Sequence, residues 1–127
     1  MPENLPYARH GRGAARAYIH AHADAVEICK AAFGAEVVES VGDDDGAHVE
    51  LSIADSIIII EVGMEFPGNP GPCSIYVYVP DVDAAYARAL QAGAKSLAAP
   101  EDKPYQERQA GLTDGFGNTW WISTYTG

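Results

Sequence analysis

The groups in this chain able to bind a metal, move a proton or attack an electrophile are few and scattered. Its 127 residues hold four His and two Cys, with 18 Asp and Glu against eight Lys and Arg. His20 and His22 share one face of an alternating segment, and His48 and Glu50 lie on a different one. Imidazole nitrogens and carboxylate oxygens are the donors a Lewis-acid metal needs. Histidines placed singly on strands are, however, commonly plain polar residues. Cys29 and Cys73 lack a CxxC spacing. A thiolate catalyst is conceivable there, but a reduced, structural pair suits a cytosolic chain better. Arg108 offers a planar fork for a ligand carboxylate or phosphate, or an ordinary ion pair with Glu107 or Asp114. Asp43, Asp44 and Asp45 read as a solvated turn, because calcium loops need alternating oxygen ligands. Gly68-Asn69-Pro70-Gly71 and Gly115-Phe116-Gly117-Asn118 are linker and turn, since neither has a phosphate-cradling spacing ahead of a helix. No Ser-His-Asp order, P-loop or deaminase zinc signature is present.

Composition narrows the class further. The length suits one domain with a real core. The longest apolar run, Ile57 to Ile60, is far short of the roughly 20 residues that span a bilayer. No apolar h-region follows the N-terminal charges, so a cytoplasmic location is expected. A formal charge of -10 argues against nucleic acid or an anionic membrane surface as partners, both of which reward basic patches. It is compatible with a cationic ligand and with simple solubility.

Periodicity sets out the elements that must position these groups. Residues 1–13 form an arm. Arg16 to His22 alternates as a half-buried strand, with Ala17, Ile19 and Ala21 opposite Arg16, Tyr18, His20 and His22. Asp24 reads as the N-cap of a helix whose apolar face carries Ala25, Ile28, Cys29, Ala32 and Phe33, ended by Gly34. Strands at 35–41, 47–53 and 56–62 follow, then a Pro/Gly-rich linker at 64–72. The pattern restarts with a strand at 74–79 and a helix capped by Asp81 or Asp83 that runs to Gln91. A strand at 95–99, a polar loop, and strands at 109–113 and 119–125 complete it. Gly and Asn of the closing turn are expected to supply its positive φ angles. An internal repeat outranks any single element. The architecture is therefore α+β, two βαβββ modules at about 15–66 and 73–125 in one domain spanning 1–127.

Three segments carry a family resemblance. Val26 to Glu36 resembles the segment EFYKxAFGAE, with Cys29 in place of the usual tyrosine. Val79-Pro80-Asp81-Val82-Asp83-Ala84-Ala85-Tyr86 matches a strand-to-helix signature. Arg108, Thr113-Asp114, Phe116-Gly117, Trp120, Ile122 and Thr124 match a closing hairpin. On these, over about residues 15–126, the chain resembles the vicinal oxygen chelate superfamily of glyoxalase I, extradiol dioxygenases and bleomycin-resistance proteins, and its PhnB-like branch most. The resemblance implies that each module curls into a cup with its helix on the convex side, and that two cups enclose a ligand. Strand parity then assigns Arg16, Tyr18, His20, Ile57, Ile59, Glu61, Ser74, Tyr76, Tyr78, Trp121 and Ser123 to the concave faces. Ile75, Val77, Val79, Trp120 and Ile122 go to the helix side.

Catalytic members of that superfamily hold a divalent metal at four strand positions. Here the resemblance places them at or near Ala14, Glu61, Ser74 and Trp121, of which only Glu61 can ligate. His20, His22, His48 and Glu50 are the groups that could rescue such a site. Glu61 equally suits an ion pair with Arg16 or Arg108. The expected function is a metal-free, cofactor-free binding protein of the bleomycin-resistance type. It would hold an aromatic or cationic small molecule against Tyr18, His20, Glu61, Tyr76, Tyr78, Arg108 and Trp121 in the cavity of a homodimer. Stacking and cation–π contacts would supply the binding energy. The alternatives are a divergent metal-dependent lyase, isomerase or dioxygenase of the glyoxalase type, and a structural or regulatory module with an empty cavity, in which Tyr76, Tyr78 and Trp121 would be fully packed.

Overall fold

The computed structural model describes residues 4–43 and 45–127; Asp44, the middle of the acidic turn, and the first three residues of the arm lie outside the described residues. Strands β1 (Tyr18–Ala21), β2 (Glu36–Asp43), β3 (Gly46–Ile53) and β4 (Ser56–Val62) surround helix α1 (Asp24–Phe33) in the first module. The second repeats the plan with β5 (Ser74–Tyr78), α2 (Val82–Gln91), β6 (Lys95–Lys103), β7 (Glu107–Thr113) and β8 (Thr119–Tyr125). The sheets run β1-β4-β3-β2 and β5-β8-β7-β6, each with one parallel pair at its start and antiparallel ladders beyond.

Alternation and helical spacing decide what is buried. Ile19, Ala21, Leu51, Ile60, Leu112, Trp120 and Ile122 join Ala25, Ile28, Cys29, Ala32, Val82, Ala85 and Ala89 of the helices in one apolar cluster shared by both modules. Burying such a set is the main favourable term in folding. Gly34 ends α1 in the left-handed conformation at φ 65, as a C-terminal glycine does. Arg88 of α2 donates to the carbonyls of Ala31 and Ala32 at 2.7 and 3.4 Å. A cation there satisfies orphan acceptors at the negative end of α1. Among the described residues, no helix is long and apolar enough to cross a membrane.

Three local expectations are corrected. Asp24 is the first residue of α1 rather than its N-cap, and its carboxylate reaches across to accept from the Gly115 amide at 2.8 Å. Asp81, one of the two caps expected for α2, is the one that caps it, accepting from the Ala84 amide at 3.2 Å. The polar stretch after Ala99 is mostly strand: β6 continues to Lys103 and β7 starts at Glu107. Pro100 masked this, but an edge strand tolerates a residue without an N–H. In the closing turn only Gly117 takes positive φ, at 98. Asn118 contributes through its side chain instead, donating to the His20 carbonyl at 2.9 Å and accepting from the Cys73 amide at 2.9 Å. That turn thereby clamps the two modules together.

Candidate functional site

The concave face of the first sheet is a charged surface closed by the arm. Register places His20 beside Glu61, His48 beside Glu61, and Tyr18 and Glu50 beside Ile59. Tyr18 and His20 meet edge to face at 5.1 Å, and His20 meets Phe66 at 4.7 Å. Glu61 pairs with neither Arg16 nor Arg108; it accepts from His48 Nδ1. The other nitrogen of His48 lies 2.9 Å from Glu50 Oε2, while Glu50 Oε1 takes His10 at 2.8 Å and Arg16 at 3.2 Å. Arg9 bonds Glu39 and Arg12 donates to Ser52 at 2.9 Å. The sequence arm is thus laced into the first cup by its basic residues, which a count of charges alone does not reveal.

This chain of charges fixes a pH dependence. Hydrogen bonds to Glu50 and then Glu61 raise His48 above its ordinary 6.5. Burial pushes Glu50 up, but bonds from His48 and His10 outweigh it and hold the carboxyl below its ordinary 4.5. A depressed carboxylate stabilises fully above 4.5 and loses that as pH falls through its folded value. A raised histidine stabilises fully below 6.5 and loses that as pH climbs through its folded value. The stabilisation from the cluster is therefore complete between 4.5 and 6.5. The melting-temperature gap between the wild type and His48→Gln should be widest there and narrow toward alkaline pH. A gap independent of pH would show that His48 is not charged in the fold.

The second cup is built differently. Tyr76 lies beside Trp121 and Tyr78 beside Ser123 on β5 and β8, and Gly111 and Gln109 of β7 face those same two residues. Tyr76 and Tyr78 are 47% and 60% exposed, so they line an open surface rather than fill a packed one. Their rings meet at 5.5 Å with planes 64° apart. Glu107 lies at their hydroxyl ends: its carboxylate accepts from Tyr76, from Tyr78 at 2.5 Å and from Ser123 at 2.9 Å. Gln109 joins the network, donating to the Tyr76 hydroxyl at 2.9 Å and accepting from Tyr105 at 3.1 Å. The tyrosine bonds hold Glu107 below the ordinary carboxylate range. In return, the bond to Glu107 pushes Tyr78 up to about 12. Neither phenol is an activated base.

The sequence-expected residues fall into three places. Tyr18, His20 and Glu61 come together in the first cup, and Tyr76, Tyr78 and Trp121 in the second. No hydrogen bond or ring contact among the described residues joins these two sets. Arg108 belongs to neither. It sits between Glu107 and Gln109 on β7, so it points to the opposite face, where its guanidinium grips Asp83 at 2.7 and 3.0 Å and Asp102 at 3.1 Å. Its partners are therefore not Glu107 or Asp114, and it is removed from the site. Glu107 falls outside a strand begun at Gln109, whereas Gln109 and Gly111 lie within the strand expected at 109–113, to which no face is assigned. Carrying its alternation two residues back would have placed Glu107 on the concave face.

The donor set is a poor match to a metal centre. Ala14 has no donor atom, Ser74 is an exposed neutral hydroxyl, Trp121 carries an indole, and Glu61 Oε1 is engaged by His48. Among the described residues, no three His, Cys, Asp or Glu side chains are arranged to hold an ion. A hollow of about 550 Å³ lies under the linker at Met64–Pro70 against Phe116. A recess of about 340 Å³ opens at the rim of the first cup beside His48 and Glu61. Another of about 270 Å³ lies between the β3–β4 hairpin and the Tyr76–Tyr78 wall. The last is the one continuous with the aromatic surface, and so the more informative despite its smaller size.

Residues 17–122 match the model of the Glyoxalase/Bleomycin resistance protein/Dioxygenase superfamily. An uncharacterised protein of Mycobacterium bovis is 28% identical over 110 residues, covering 77% of this chain and 72% of that one. Among solved structures, TioX from Micromonospora sp. ML1 superimposes with a TM-score of 0.68 at 21% identity, over 87% of this chain and 98% of its own. TnmS3, an antibiotic binding protein from Streptomyces sp. CB03234, does so with a TM-score of 0.63 at 19% identity, over 88% and 96%. At these identities the structural likeness speaks for the fold alone.

Proposed function

The chain belongs to the Glyoxalase/Bleomycin resistance protein/Dioxygenase superfamily, and from that premise we propose that it is a metal-free binding protein. It holds a small aromatic or cationic molecule against its second cup, within a homodimer. The observation that carries this reading is the open wall of Tyr76 and Tyr78 beside Trp121, in a cup whose strand positions have lost ligand chemistry. Aromatic faces of this kind bind flat molecules by stacking, at roughly 0.5–1.5 kcal/mol per pair beyond burial. Open sheet edges and cup rims are surfaces that a second chain covers. TnmS3, which shares the fold, is itself an antibiotic binding protein.

Titration with planar aromatic compounds, followed by tryptophan fluorescence and by native mass spectrometry, tests the proposal. A saturable change from Trp121 at one equivalent per chain, on a dimeric species, is expected. Stoichiometric tightly held metal, together with metal-stimulated turnover abolished by Glu61→Gln, would replace this reading with the enzymatic one.

A further inference from the structure

The two cups each contain a buried carboxylate, and its surroundings differ between them. Glu50, 4% exposed, is paired with the Arg16 guanidinium at 3.2 Å and hydrogen-bonded to His10 at 2.8 Å and His48 at 2.9 Å. Glu107, 8% exposed, is held only by the neutral hydroxyls of Tyr76, Tyr78 and Ser123. The cations nearest to it in the chain are all engaged elsewhere. Lys103, its register partner on β6, turns its ammonium to Glu101 at 2.9 Å. Arg108, the next residue along β7, is on the far face with Asp83 and Asp102. Among the described residues, Glu107 therefore has no counter-ion.

A buried carboxylate is ordinarily paired with a cation, because hydroxyl donors stabilise the charge without cancelling it. Here the uncancelled charge lies at the hydroxyl ends of two exposed phenol rings. Each phenol that donates to a carboxylate gains electron density, and its ring face then attracts a cation more strongly. The walls of the cup and the charge beside them are thus complementary to one ligand class. The protein's overall charge of -10 acts in the same direction at long range.

We propose that Glu107 makes the second cup selective for organic cations: an amine or quaternary nitrogen carried on an aromatic body, with the positive centre against Tyr76 and Tyr78. This rests on the reading of the cup as a ligand pocket and adds the charge class that the pocket selects. Glu107 is its specificity-determining residue, acting through the two tyrosines that contact the ligand.

The test uses a pair of probes of nearly equal shape, N-methylacridinium and neutral acridine, titrated at about pH 7.5 and low salt by calorimetry. The cation should bind the wild type roughly tenfold or more tightly than the neutral ring. Glu107→Gln should remove that preference, bringing the affinities of the two probes together. Raising the salt concentration should weaken only the cation, since screening acts on charge. Equal affinity of the two probes for the wild type would overturn the proposal and leave the pocket reading standing. Binding of neither would overturn both. Equal wild-type affinities overturn the proposal even if the Gln variant folds poorly.

Discussion

Asp114→Ala should lower the melting temperature by roughly 10 °C, the largest loss of stability expected from any single side chain of the closing turn. The Asp114 carboxylate, 6% exposed, accepts from the backbone amides of Phe116, Gly117 and Asn118 at 3.0, 3.1 and 3.0 Å. Its other oxygen takes the Trp120 indole N–H at 2.9 Å and the Asn118 amide at 3.0 Å. Truncation leaves the indole donor of a fully buried Trp120 without a partner, and each such orphan costs about 1–3 kcal/mol. Losing the turn's internal acceptor also loosens Asn118, which ties β1 to the linker, so the damage crosses from one module to the other. Thermal denaturation of Asp114→Ala beside Asp114→Asn separates the effects. The Asn variant keeps one carbonyl acceptor and should lose less. A fall of a degree or two in the Ala variant would mean that water replaces the carboxylate, and that the turn does not join the modules.

The second large effect concerns binding rather than stability. Gly111 lies under Trp121, and a Cβ built there would sit 2.6 Å from Cζ3 and 3.0 Å from Cε3 of the indole. Gly111 has no positive φ, so backbone strain is not the issue; the missing side chain makes room for the ring. Gly111→Val should expel Trp121 from the cup and cut affinity for a planar aromatic by roughly tenfold or more, about the value of a lost stacking contact. The strand is expected to survive, because overpacking costs about 1–3 kcal/mol and valine recovers part of it through its fit to a pleated strand. Indole emission should move to longer wavelength as the ring enters water. Unchanged affinity in Gly111→Val would place the ligand away from Trp121. A combined Gly111→Val, Trp121→Ala chain binding no worse than Gly111→Val would confirm that the glycine acts through the indole.

How much of the site could be read beforehand follows from what each residue depends on. Parity within a strand is local, so Tyr76, Tyr78 and Trp121 fell on the concave face as expected, with Trp120 and Ile122 in the core. Parity also needs a correct starting point. A strand begun at Gln109 leaves out Glu107, a buried carboxylate with no counter-ion among the described residues. Arg108 shows a second kind of failure. Its resemblance to a family loop arginine suggested a ligand grip, yet a strand carries it away from the cup and onto Asp83 of α2.

The two βαβββ modules, the buried stripes of both helices and the faces of most strands are legible in the chain. They follow from spacings of two and 3.6 residues, and those spacings are properties of the chain over a few positions. The partners of the charged groups are set by the packing of the fold. Arg108 meets Asp83 across 25 positions and Asp24 meets Gly115 across 91, while the basic arm meets Glu39, Glu50 and Ser52 of the first cup. Such pairings depend on register and on how sheets and helices pack, and many are compatible with one pattern of charges. The same packing leaves Glu50 paired with Arg16 and Glu107 uncompensated, a difference that gives the two cups of one repeat different chemistry.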